Sequence, residues 1–135
     1  MKLIVNTNRL IAALIKDSAS RRIINHINAE LISIKFAEKE IEKYKEMILK
    51  KAGINEAEFA LILKKIKEKL VMLDDNLIKT RWDEAKGIMD KIDPDDTPFI
   101  GAALAANADI WSDDQHFQKQ GRIKVWKTAD LVSLL

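Results

Sequence analysis

The stretch Asp93-Pro94-Asp95-Asp96-Thr97-Pro98 is the clearest break in the chain, and an apolar run and then a β-rich segment follow it. Two prolines and three acids between apolar patterns are typical of a loop. Asp95 or Asp96 can cap a helix over residues 98–107, with Pro98 near its first turn. Residues 108–112 then predict a strand that ends directly before two further acids. This order of helix and strand predicts an alternating α/β chain.

The same alternation extends to both ends of the sequence. Further strands are predicted over residues 3–5, 30–34, 71–73 and 123–126. Helices are predicted over about 8–15, 20–27, 38–51, 55–70, 78–92 and 128–135. Asn8 is expected to cap the first helix, Ser18 or Ser20 the second, and Thr128 the last. Gly53 is expected to end the helix over 38–51, and an Asn55–Glu58 capping box to begin the next one. Alternating strands and helices imply a parallel sheet covered on both faces. We therefore predict one domain, residues 1–135, of the α/β class: a three-layer α/β/α sandwich with a central, mainly parallel sheet.

Composition narrows the class of protein without deciding its partner. The chain has 135 residues, of which 47% are hydrophobic and 33% charged, as in ordinary globular domains. The absence of cysteine excludes disulfides and thiolate metal sites. The net charge of +2 permits nucleic acid as a partner but does not demand it. No apolar run is long enough to span a bilayer and no secretory cleavage pattern follows the start, so we expect no membrane association and a cytoplasmic location.

Scattered acids, together with Asn6, lie at the predicted strand ends and helix starts. Asn6 follows the first strand, Glu40 lies early in a long helix, Asp96 opens the apolar helix, and Asp113 and Asp114 follow the next strand. Ligands gather beyond the carboxyl ends of parallel strands, so we expect these positions to converge. Oxygen ligands suit Mg²⁺ or Mn²⁺, which can lower the pKa of a bound water and neutralise a scissile phosphate.

Each of these residues also has a purely structural interpretation. Asp95 and Asp96 can be helix caps, Glu40 can be an ordinary surface glutamate, and the other polar residues can be turn formers or caps: Asn6, Asn8, Asp113 and Asp114. The two histidines are too isolated to form a zinc site; His26 is expected to be structural and His116 to lie at the pocket rim. The three tryptophans, Trp82, Trp111 and Trp126, are expected in the core.

Four stretches together resemble the PIN domain family, a nuclease fold shared by toxin–antitoxin ribonucleases and RNA-processing factors. They are Ile4-Val5-Asn6-Thr7-Asn8, residues 38–43, residues 93–104 and Ile110-Trp111-Ser112-Asp113-Asp114-Gln115-His116-Phe117. They run nearly from end to end of the chain, and the last two are the more specific. The resemblance is strongest to archaeal single-domain members. It implies Mg²⁺- or Mn²⁺-dependent cleavage of single-stranded RNA, a homodimer and, in some members, an antitoxin-like partner protein.

The resemblance also implies a set of site residues. The family's four metal-site acids correspond to Asn6, Glu40, Asp96 and Asp114. Asp113 is the less favoured member of its pair, because the family acid lies two residues past the small hydroxyl residue, here Ser112. A small polar residue near the first acid corresponds to Asn8. Asp113, Ser112 and Asn8 are therefore secondary candidates.

Asn6 departs from the family pattern, which has an aspartate there. An amide offers one neutral oxygen to a cation and removes a negative charge. Three interpretations follow: an engineered loss of the acid, a natural member that has lost activity, or a natural variant that binds metal through the remaining acids. The sequence hypothesis is therefore a PIN-type endoribonuclease, weakened or silenced at Asn6; the alternative is a catalytically silent module that binds RNA or a protein.

Overall fold

A five-stranded parallel sheet forms the centre of the protein. The computed structural model describes residues 1–16 and 18–135, and in that part of the chain the strands are β1 (Lys2–Val5), β2 (Glu30–Ser33), β3 (Leu70–Met72), β4 (Asp109–Trp111) and β5 (Val125–Trp126). Their order across the sheet is β3-β2-β1-β4-β5, and every neighbouring pair is parallel. Leu3, Ile4 and Val5 of the central strand are fully buried, as expected for a strand covered on both faces.

Helices cover the sheet in two groups. In the described residues they are α1 (Thr7–Ile15), α2 (Ala19–His26), α3 (Lys35–Lys43), α4 (Lys45–Ala52), α5 (Glu56–Lys67), α6 (Asp75–Lys79), α7 (Trp82–Met89), α8 (Thr97–Ala106), α9 (Gln115–Gln118) and α10 (Thr128–Val132). Helix α1 packs against α2, α3, α4 and α5, and α10 packs on α2, whereas α6 and α7 pack on α8. The predicted three-layer α/β/α class is confirmed, and the sheet is wholly parallel rather than mainly so.

Helix α8 explains why the residues after the proline-rich loop decide the fold. Its residues from Phe99 to Leu104 are all buried, which is the pattern of a helix enclosed on every side. Gly101 lets α6 approach closely, because a Cβ there would meet Ile78 Cγ2 at 3.0 Å. The helix ends at Asn107, whose left-handed φ of 52° reverses the chain into β4.

Several local predictions are confirmed and others are wrong. Ser18 caps α2, the Asn55–Glu58 capping box opens α5, and Gly53 ends α4 with a φ of 66°. The predicted helix over 38–51 is in fact two helices, α3 and α4, and the first of them begins at Lys35. The predicted helix over 78–92 is likewise two helices, α6 and α7. Asn6, not Asn8, caps α1, and Lys127, not Thr128, is the residue before α10. Trp82 lies outside the core with 37% of its surface exposed, whereas Trp111 is fully buried.

In residues 1–16 and 18–135, none of the helices combines the length and the apolar character that crossing a membrane requires.

Candidate metal centre

The site lies where the strand order reverses, between β1 and β4. Asn6 follows β1 and Ser112 follows β4, and the Asn6 N–H donates to the Trp111 carbonyl at 3.1 Å. In open parallel sheets this switch point is where ligands bind, beyond the carboxyl ends of the strands. The topology therefore brings the segments that follow these two strands to one edge of the sheet.

Three aspartates surround one imidazole at this edge. His116 Nδ1 lies 3.0 Å from Asp93 Oδ2, 3.5 Å from Asp96 Oδ2 and 3.5 Å from Asp114 Oδ1. We call these four side chains the acidic cluster. Asp93 and His116 were not among the expected ligands, although Asp93 belongs to the proline-rich loop and His116 follows Asp114 by two residues.

Helix starts position the three carboxylates. Asp93 accepts a hydrogen bond from the Asp95 N–H at 3.0 Å and so caps the short 3-10 helix Pro94–Asp96. Asp114 accepts from the His116 N–H at 2.9 Å at the start of α9. Asp96 occupies the N-cap position of α8, but its side chain makes no cap hydrogen bond. The Asp96 carboxylate therefore faces the cluster without serving its own helix.

Asp96 carries the clearest electrostatic strain in the site. Its pKa is raised from 3.8 to about 6, first by burial and then by the neighbouring charges of Asp93 and Asp114, while His116 acts to lower it. Among the described residues, Asp96 Oδ2 is a buried oxygen without a hydrogen-bond partner, because the 3.5 Å contact with His116 lacks the required geometry. A buried carboxylate oxygen beside like charges is the environment that a cation would relieve.

The residues present fit a divalent cation. Asp93, Asp96 and His116 each offer one ligand atom, and these three atoms lie within 4.8 Å of one another. Carboxylate oxygens suit Mg²⁺ and Mn²⁺, and an imidazole nitrogen is better tolerated by Mn²⁺. The sequence predicted a set of oxygen ligands only, whereas the side chains that meet here include one nitrogen atom that could bind a cation, that of His116.

Glu40 lies on the β1 side of the same edge. Its Oε1 accepts a hydrogen bond of 2.6 Å from the hydroxyl of Thr7, the residue after Asn6. This bond links α3 to the start of α1. Glu40 does not belong to the group of three ligand atoms defined above, and its role as a metal ligand stays a prediction.

Asn6 is buried, with 4% of its surface exposed, and it has a structural task. Its Oδ1 accepts a hydrogen bond from the Asn8 N–H at 3.3 Å and so caps α1. The Asn8 side chain itself is exposed. The amide oxygen of Asn6 therefore already accepts one hydrogen bond from the backbone.

Asp113 and Asp114 have separate environments. Asp113 pairs with Arg9 Nη1 at 2.8 Å and accepts from both the N–H and the hydroxyl of Thr128 at 2.7 Å. Ser112 is fully buried, and its hydroxyl accepts from the Asp114 N–H at 3.0 Å. Asp113 thus ties α1 to α10, and Asp114 alone of the pair lies in the acidic cluster.

An α/β/α sandwich with an acidic cluster at its switch point defines a class of metal-site proteins. The comparisons with known proteins give that class a family: the PIN domain profile matches residues 4–135. The chain belongs to the PIN domain family.

One solved structure shares the fold over almost its whole length. It is the crystal structure of VapBC2 from Rickettsia felis bound to a DNA fragment from their promoter, with a TM-score of 0.73. The match covers 94% of this chain and 98% of that one at 14% identity. No curated protein sequence matches the chain.

Proposed function

We propose that this protein is a metal-dependent endoribonuclease of the PIN type, acting on single-stranded RNA with an activity reduced by Asn6. The observation that carries the proposal is the buried, unpartnered Asp96 oxygen among two further carboxylates and an imidazole. Burial beside like charges raises the pKa of Asp96 to about 6, which disfavours its charged form and is a common feature of functional sites. Membership of the PIN domain family supports the same conclusion.

Asp93, Asp96, Asp114 and His116 are the residues that would hold Mg²⁺ or Mn²⁺. Such a cation lowers the pKa of a bound water and neutralises charge on a phosphodiester. Glu40 Oε1 is fixed by the Thr7 hydroxyl, which leaves Oε2 to accept a proton from an attacking water.

Asn6 sets the expected level of activity. A unit charge about 4 Å from a cation contributes on the order of 4 kcal/mol at an effective dielectric of ~20. Replacing that charge by an amide, with easier desolvation as a partial offset, weakens metal binding by roughly two to three powers of ten. The protein should therefore need a high metal concentration to act.

Cleavage of a labelled single-stranded RNA tests this proposal. We expect Mn²⁺-dependent cleavage at millimolar metal, its loss in Asp96→Asn, and a lower metal requirement in Asn6→Asp. Asp95→Asn is the matched control, because Asp95 is exposed and adjacent to Asp96. Intact RNA at high protein and metal concentrations, with Asn6→Asp equally inactive, would rule out a nuclease.

The second candidate function is a catalytically silent module that binds RNA or a protein. The Asn6 side chain favours it, because its neutral amide gives a cation no negative charge and its oxygen serves as the cap of α1. Such a module would bind RNA with a steep salt dependence and leave it uncut. Cleavage by Asn6→Asp, but not by the chain with Asn6, would identify a nuclease site that has been silenced.

The proposed partners follow from the family and from exposed apolar side chains. Val71 and Met72 lie on β3, an edge strand of the sheet, and are 50% and 43% exposed. Exposed apolar residues on an edge strand favour pairing with another chain. We propose a homodimer and an antitoxin-like protein partner in the cytoplasm; the VapBC2 match gives the fold precedent for the second.

A further inference from the structure

A cavity opens beside the acidic cluster, between α3, α6 and α7. We call it the lysine–tryptophan groove and define it by Lys35, Phe36, Lys39, Ile78, Lys79 and Trp82. It encloses about 210 Å³, and Pro98, in the first turn of α8, forms part of its wall. Asp96 is the N-cap of that same helix. The groove therefore begins next to the acidic cluster.

The groove carries a net positive charge. Lys35, Lys39 and Lys79 are all exposed, and within residues 1–16 and 18–135 none of them forms an ion pair. Other lysines of the chain do form such pairs; Lys67, for example, lies 2.9 Å from Glu38. The groove walls include one acid, Asp75. Three lysines against one aspartate leave a net positive charge at the opening, which favours an anionic ligand.

The groove also exposes a large aromatic surface. Trp82 is 37% exposed at the first turn of α7, although tryptophans are usually among the more buried side chains. Phe36 packs edge-on against Phe99 with ring centroids 5.8 Å apart, and Ile78 is buried beneath the opening. The groove thus has a fixed apolar floor and a tryptophan at its rim. Cations together with an exposed aromatic ring are the combination that binds unpaired nucleotides.

A second depression continues the groove towards the end of β3. It encloses about 440 Å³ and shares Lys35, Asp75 and Lys79 with the first. The first cavity is smaller than the roughly 300–1,000 Å³ typical of drug-sized ligands, which favours a fragment such as a single base. Asp74 and Asp75 balance the two lysines in the second depression, so the net positive charge is concentrated in the first, where Lys39 adds a third ammonium group.

We propose that the lysine–tryptophan groove binds single-stranded nucleic acid, with one base against Trp82 and the adjoining phosphates against Lys35, Lys39 and Lys79. The inference rests on the proposed function, because the groove would hold the part of the RNA strand that leads away from the acidic cluster. It also gives Trp82 a role in place of the core position expected from the sequence.

Binding of a fluorescein-labelled single-stranded RNA in EDTA, followed by fluorescence anisotropy, tests the groove without any metal chemistry. Trp82→Ala should weaken binding about 5- to 100-fold, since a stacked base contributes on that scale. Trp82→Phe should keep most of the affinity. Lys79→Ala should weaken binding and reduce the slope of log K against log salt by about 0.7. Lys64→Ala, exposed on α5, is the matched control and should bind like the unaltered chain.

Several outcomes would overturn the inference. One is that Trp82→Ala and Lys79→Ala both bind RNA with the affinity of the unaltered chain. Another is that Lys64→Ala loses as much RNA affinity as the groove variants do. A third is tighter binding of a polyglutamate peptide than of RNA, which would make the groove a site for an acidic protein. Because Lys79 is exposed, its substitution tests the groove even if Trp82→Ala lowers the melting temperature.

The result also separates this inference from the nuclease proposal. Mn²⁺-dependent cleavage that persists unchanged in the groove variants would reject the groove and leave the nuclease intact. Loss of RNA binding in those variants, without cleavage by any form of the chain, would support the groove and reject the nuclease.

Discussion

At the scale of single residues, Asp96 links the site to the stability of the fold. Its folded pKa of about 6 lies above the unfolded value of 3.8, so the folded state binds more protons between these pH values. The contribution of Asp96 to stability is therefore fully present below about pH 4 and is lost as the pH rises through 6. The loss amounts to at most about 3 kcal/mol, since each pKa unit corresponds to ~1.4 kcal/mol.

We therefore predict that Asp96→Asn stabilises the metal-free protein at pH 8. Urea unfolding in EDTA should show an unfolding free energy about 1–3 kcal/mol higher than that of the unaltered chain, with the difference vanishing near pH 4. Added Mn²⁺ should stabilise the unaltered chain and have little effect on the variant. Asp95→Asn serves as the control. A variant that is less stable than the unaltered chain at pH 8 would contradict the strained environment of Asp96.

The members of the acidic cluster were only partly predictable from the sequence. Asp96 and Asp114 were expected, because each lies where a strand or helix boundary is marked by prolines or small polar residues. Asp93 and His116 were not, because their approach to Asp96 depends on how α9 turns back towards the 3-10 helix. Such a contact between side chains on different elements leaves no periodic pattern in the sequence.

At the scale of elements, Asp113 connects three parts of the fold. It accepts from the Thr128 N–H at the start of α10 and pairs with Arg9 on α1. The Thr128 hydroxyl in turn accepts from Trp111 Nε1 at 3.1 Å. These bonds fix the backbone directly before Asp114 and so help to aim that residue at the cluster.

Removing this connection should destabilise the fold. Asp113→Ala removes the carboxylate partner of the half-buried Arg9 and the acceptor of the Thr128 N–H, which costs roughly 1–2 kcal/mol in urea unfolding. Arg9→Ala should cost a similar amount, and the double variant less than the sum of the two, because the residues interact directly. Asp90→Ala, at an exposed helix end, should change stability little. Additive losses would show that the pair does not act as a unit.

Element boundaries show where sequence patterns stop being informative. Residues 35–52 have continuous helical spacing, yet the chain breaks at Tyr44, with φ −97° and ψ 11°, into α3 and α4. The break lets α4 pack on α1, a tertiary contact that helical spacing cannot encode. Caps that depend on local chemistry, such as Gly53 and the Asn55–Glu58 box, were correctly predicted.

At the scale of the whole molecule, the sheet order was the least accessible feature. Alternation of strands and helices predicts a parallel sheet, but the order β3-β2-β1-β4-β5 depends on the return from β3 across to β4. That return creates the switch point at which Asn6 and Ser112 meet. The edge of the sheet could be expected without that order, because every carboxyl end of a parallel sheet lies on the same side.

The proposed homodimer gives a prediction about the mass of the protein in solution. Light scattering should give twice the chain mass of 15.4 kDa. The exposed Val71 and Met72 of β3 favour association, because an edge strand with apolar side chains is readily paired or covered. A mass of one chain across the micromolar range would contradict the homodimer and leave the proposed metal site unaffected.

The four side chains of the acidic cluster all come from the continuous segment 93–116, whereas Asn6 and Glu40 are supplied from far away in the chain. Closing a short stretch of chain on itself loses less conformational entropy than joining distant parts. Most of the negative charge at the site is thus held together by one short segment of chain. Its assembly depends on the loop and helix starts of residues 93–116 and not on how β1 and α3 dock.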